Sequence, residues 1–155
     1  MLWQDMLLGR WVSKHDLVAA LAAAFGLTPE QISVVDDLQK APELIGPDTS
    51  LLVQRTRIAG DFPLYLSLYP RTAQLRRLQG DRVELGVIHR IAAALQTSIL
   101  IGAGELGDEQ WLLVEPDGTI ASALLDQAAL DEDRYVLRET HSPAALPLKL
   151  ARGAG

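Results

Sequence analysis

The sequence predicts an α+β domain, a mainly antiparallel β-sheet with two main helices packed on one face. Three observations predict it. Two segments, one from Ser13 to Gly26 and one from Asp81 to about Gln96, place apolar residues at helical spacing. Several shorter segments alternate apolar and polar residues or are rich in β-branched types, as strands are. Strand follows strand across short glycine and proline turns, which favours antiparallel neighbours.

The first helix begins at Ser13, a candidate N-cap with Asp16 three residues on, and carries Leu17, Val18, Leu21 and Phe25 on one stripe. Gly26 suits the left-handed residue that ends a helix, and Leu27 the apolar contact beyond it. Thr28-Pro29-Glu30-Gln31 reads as a single helical turn, after which β-branched Ile32 to Val35 reads as a strand. Asp36 to Thr49 reads as a loop. Ser50–Ile58 and Phe62–Tyr69 form the arms of a hairpin around Ala59-Gly60-Asp61, with Leu64, Leu66 and Leu68 on the apolar face of the second arm.

The second helix opens at a D-x-x-E pattern, Asp81 and Glu84, and buries Val83, Val87, Ile88, Ile91 and Leu95. Strands follow at Ser98–Ile101, Gln110–Glu115 and Ile120–Leu124, the last two joined by the Pro116-Asp117-Gly118-Thr119 turn. Leu125–Asp133 reads as a loop or short helix and Tyr135–Leu137 as a final strand. Residues 1–141 are expected to form one domain, and 142–155 a loosely held tail. The helix-then-strand order occurs twice, at residues 14–35 and 82–101, which is also the ordinary habit of α+β domains.

At 155 residues the chain can bury a core without covalent staples. It has no cysteine, which excludes disulfides, thiolate metal sites and a cysteine nucleophile, and fits the cytoplasm. Met1 to Leu8 lacks a basic start and carries Asp5 in its apolar stretch, so it is a poor secretory signal. No apolar run approaches the ~20 residues of a membrane span. A net charge of −6 argues against general nucleic-acid binding and is compatible with a basic protein partner.

Gly102, Gly104 and Gly107 spell G-x-G-x-x-G after a strand-like run. The nucleotide motif requires a helix next, whose N-terminus receives pyrophosphate. Here Asp108 and Glu109 lead into Trp111-Leu112-Leu113-Val114, another strand, and Glu105 adds repulsion. The string is therefore expected to be a strand-joining tip rather than a cofactor cradle.

The remaining chemistry is sparse. His15, His89 and His141 share no metal-ligand spacing, and no G-x-S-x-G elbow occurs. Neither a cofactor nor a metal is expected. Asp36-Asp37 and Asp131-Glu132-Asp133 are paired carboxylates that suit acid–base chemistry, a cation or a solvated loop. Arg71 to Arg82 holds four arginines against Asp81 and suits an anion or an exposed connection.

The C-terminal half places Ile99-Leu100-Ile101, then Trp111-Leu112-Leu113-Val114-Glu115-Pro116-Asp117-Gly118, then Leu130-Asp131 and Tyr135-Val136-Leu137. In this pattern it resembles small bacterial domains, some of them immunity proteins that neutralise a toxin. The resemblance implies a non-catalytic domain that binds a protein, such as a basic toxin, through an acidic surface. The candidate partner-binding residues are Asp36, Asp37, Glu105, Asp108, Asp131, Glu132 and Asp133. The alternative is a small-molecule-binding or enzymatic domain using the acidic loops or the Arg71–Arg82 segment. A third is a homo-oligomer that covers an apolar sheet face with a copy of itself.

Overall fold

The structure is a computed structural model that describes residues 4–37, 39, 45–73, 75, 83–102 and 110–141. Among the described residues eight strands form one sheet: β1 Gln4–Leu8, β2 Ile32–Val35, β3 Leu51–Arg57, β4 Leu64–Pro70, β5 Ile99–Gly102, β6 Trp111–Val114, β7 Ile120–Leu125 and β8 Leu137–His141. Their order is β2-β3-β4-β1-β5-β6-β7-β8. Only β2 and β3 pair in parallel, so the α+β class and the mainly antiparallel sheet hold. The sheet is large, and the helices among the described residues are few: α1 Lys14–Phe25, α2 Leu85–Leu95 and the short α3 Gln127–Leu130, plus a 3-10 turn at Pro29–Gln31.

Local signals explain most of the boundaries. Ser13 accepts from the Asp16 backbone N–H at 3.1 Å, and Gly26 closes α1 at φ +68°, with the Leu27 N–H reaching back to the Ala22 carbonyl. Gly118 at φ +94° turns β6 into β7, where Asp117 accepts from the Thr119 N–H at 2.9 Å. The second helix differs from its expected start. It begins at Leu85 with Glu84 as the N-cap residue, and the Glu84 side chain makes no capping bond. Asp81 lies outside the described residues.

Strand alternation sorts apolar side chains into two clusters. The larger joins Met6, Leu8, Leu64, Leu66, Ile99 and Leu112 to Leu17 and Leu21 of α1 and to Ile88 and Ile91 of α2. A smaller one joins Leu7, Leu100, Leu113 and Ala123 to Phe62, with Tyr65, Trp111 and Tyr135 packed against it. Each leucine or isoleucine fully buried in these clusters contributes about 1.5–3 kcal/mol.

Two strands differ from expectation. β1 was not foreseen, and its residues Met6, Leu7 and Leu8 are buried on both faces, at 0–1% exposure. The last strand is β8, not Tyr135–Leu137. Tyr135 makes only an isolated bridge to Gly60, and His141 belongs to the strand. The two helix–strand repeats also pair differently: β2 is an edge strand parallel to β3, whereas β5 is central and antiparallel to β6. Among the described residues no helix is long and apolar enough to cross a membrane.

Candidate functional site

Of the candidate carboxylates, Asp36 lies at the end of β2 within reach of two cations. Arg55 on β3 donates to it twice, Nε to Oδ1 at 2.8 Å and Nη2 to Oδ2 at 3.1 Å, while Lys14 Nζ stands 3.5 Å away. The Arg55 hydrogen bonds, with the positive charges of Arg55 and Lys14, hold the Asp36 carboxyl below its ordinary value. It stays ionised at neutral pH, so it is no proton donor there. Asp37 turns away to accept from the Gln39 N–H at 2.9 Å. The two neighbours therefore have separate partners rather than sharing a proton or a cation.

The Asp36 pair has a pH signature. The folded carboxyl sits below its unfolded value of 3.8, so the pair contributes fully above that value and its contribution is lost as pH falls through the folded one. The Asp36 side chain is half exposed, which keeps the contribution below about 1 kcal/mol. Asp36→Asn is expected to lower the urea midpoint near neutral pH and to approach the wild type at a pH well below 3.8. An equal gap at both pH values would show that the loss is steric rather than electrostatic.

At the other end of the sheet Asp131, Glu132 and Asp133 are exposed just after α3. Gln127 holds Asp131 at 3.0 Å and Arg134 holds Glu132 at 2.9 Å, while Asp133 takes a positive φ of 59°. Asp61 is tied to the start of β8, accepting from the Leu137 N–H at 2.8 Å. Glu105 and Asp108 lie outside the described residues, as do Gly104 and Gly107 and most of the Arg71–Arg82 segment. Of that segment Arg71 is placed, and its N–H donates to the Ser50 carbonyl. Among the described residues no group of three metal-ligating side chains occurs. His89 Nε2 lies 3.1 Å from the Pro116 carbonyl, tying α2 to the β6–β7 turn.

The structure adds an aromatic group that sequence reasoning left unassembled. The Tyr135 ring stands 6.2 Å from Tyr65 and 5.8 Å from Trp111, edge-on to the latter. Tyr65 is on β4 and Trp111 on β6, so Tyr135 spans the intervening β1 and β5. The Tyr65 hydroxyl donates to Asp5 Oδ2 at 2.6 Å. Asp5 Oδ1 is buried and has no hydrogen-bond partner among the described residues.

Burial pushes the Tyr65 hydroxyl far above its ordinary 10, and the bond to Asp5 adds to the shift. Burial also raises Tyr135, with the nearby charges of Asp133 and Asp5 contributing. Both rings therefore stay neutral and present hydroxyls among carboxylates. No family model, curated protein or solved structure matches the chain. One signal could have found the group: Asp5 interrupts an apolar strand, where a charge needs a partner.

Proposed function

We propose that this chain is a non-catalytic protein-binding domain of the immunity type, taking a basic partner on the Tyr65–Tyr135–Trp111 face of its sheet. The observation that carries it is the half-buried aromatic group with the carboxylates of Asp5 and Asp133 acting on it. Asp5 and Asp133 act on Tyr135, and Asp61, Asp131 and Glu132 stand close by in the chain or through hydrogen bonds. Aromatic rings with desolvated polar tips are the anchors that interfaces use most. A ring beside carboxylates also suits a lysine or arginine, which gains from the ring face and the charge together.

The arrangement of two helices on one face of the sheet belongs to this reading. Leu17, Ile88 and Ile91 share a cluster with Met6 and Leu8, whereas Leu7 and Leu100 on the alternate positions share one with the aromatic group. The helices then leave the aromatic face to a partner. The cytoplasm is the proposed location, in keeping with a chain that carries no cysteine.

The test is capture of a partner from the native cells, identified by mass spectrometry and remade for titration. Asp131→Lys combined with Glu132→Lys is expected to abolish capture, since both side chains are exposed. Tyr135→Ala is expected to weaken binding about thirtyfold, the scale of a 2 kcal/mol anchor. Unchanged affinity in both variants, or a partner that is acidic, would sink the proposal.

A shallow groove of about 320 Å³ lined by Lys14, His15, Val18, Ala19 and Pro29 is what favours the small-molecule alternative. Its lining offers one lysine and one histidine but no carboxylate pair, so it supplies recognition rather than acid–base catalysis.

A further inference from the structure

A second charged surface lies on the opposite side of the sheet from the aromatic group. Arg55 and Arg57 follow Val53 at alternate positions on β3 and so share the face of the larger cluster. Both guanidiniums lie over the Trp11 ring, at 4.4 Å and 3.8 Å from its centroid. Arg55 is committed elsewhere as well, to Asp36 and to the Val12 carbonyl at 2.9 Å. Arg57 is exposed, and among the described residues it has no carboxylate partner.

Arg10 donates to the Leu95 carbonyl at the end of α2, at 3.0 Å, and to the Trp11 carbonyl. Lys14 reaches Asp36 and also lines the groove on α1. Among the described residues, those joined by these contacts place four cations, Arg10, Lys14, Arg55 and Arg57, against the carboxylate of Asp36. In a chain of net charge −6 this corner runs against the whole.

We propose that the Trp11–Arg57 corner and the adjoining α1 groove dock an acidic, amphipathic segment of a protein partner. Stacking on Trp11 pre-orients the planar Arg57 fork, whose free donors match a carboxylate in bidentate geometry. The groove beside Lys14 is mostly apolar, through Val18, Ala19 and Pro29, and accepts the segment's apolar side chains. A protein segment fits better than a nucleic acid. The Trp11 ring is stacked by guanidiniums rather than offered to a base. This surface is separate from the aromatic face, so either proposal stands or falls without the other.

The probe is a dye-labelled synthetic peptide alternating glutamate and leucine, titrated against the intact protein by fluorescence anisotropy at low salt. Wild type is expected to bind, and more weakly as salt rises. Arg57→Ala is expected to lose about tenfold or more in affinity, the worth of one charge-assisted bidentate pair. Ala19→Asp, which puts a repelling charge in the groove, is expected to lose affinity with Arg57 intact. Arg138→Ala, exposed on β8, is the control and leaves binding unchanged. No binding by the wild type would overturn the proposal. So would full affinity in Arg57→Ala, or tighter binding of single-stranded DNA or of a lysine–leucine peptide.

Discussion

Ile91→Ala is expected to destabilise the fold by about 2–5 kcal/mol, the cost of lost apolar transfer plus an unfilled cavity. Ile91 is fully buried on α2, within the cluster that joins both long helices to β1, β4 and β5. α2 also packs on α1, so neighbouring side chains are held from two directions and cannot readily collapse into the space. For a chain of this size the melting midpoint should fall by roughly 2–4 °C per kcal/mol. Arg90→Ala, on the next and exposed position, should stay within about 0.5 kcal/mol of the wild type. If Ile91→Ala cost no more than that control, α2 would not be seated on the sheet as described.

Gly60→Ala is expected to destabilise the fold by a different route. Gly60 has φ +113°, and a Cβ there would lie 2.7 Å from the Tyr135 carbonyl oxygen and 2.9 Å from the Tyr135 nitrogen. Both are backbone atoms, so no rotamer change can relieve the contact. The backbone strain alone costs about 1–3 kcal/mol. Retreat of Tyr135 would break the 2.9 Å bond from the Asp61 N–H and draw the ring away from Tyr65 and Trp111. Denaturant unfolding should show the loss, and near-ultraviolet circular dichroism a weakened aromatic signal. An unaltered aromatic spectrum would mean that Gly60 does not hold Tyr135 in place.

The sequence announced those elements whose side chains face unlike surroundings. In β4, Leu64, Leu66 and Leu68 enter one cluster while Tyr65 faces another, and the alternation was legible. The stripe of α2 and the two caps of α1 were legible for the same reason. β1 was not, because Met6, Leu7 and Leu8 are buried on both faces and show no period. β8 was not, because Arg138, Glu139, Thr140 and His141 are exposed and charges blunt a sheet edge.

The candidate site was half legible. The acidic loop at Asp131–Asp133 could be read from its charges alone. The approach of Tyr135 to Tyr65 and Trp111 depends on a bridge to Gly60 across half the chain, and no local pattern encodes that. The stacking of Arg55 and Arg57 on Trp11 was hidden in the same way, since the ring follows β1 and the cations sit on β3.

The central position of β1 has a kinetic consequence. Among the described residues, β1 alone is hydrogen-bonded to both β4 and β5, so it joins the β2–β3–β4 half of the sheet to the β5–β8 half. It pairs over five residues with β4 but over only two with β5. Each half can assemble largely from neighbours in sequence, whereas Leu8 must find both Leu64 and Ile99. Contacts of such long separation carry a loop-closure cost and are slow to form. During synthesis β1 would pair with β4 first and keep its other edge open until β5 emerges. The cooperativity of the whole sheet would then rest on a five-residue splice.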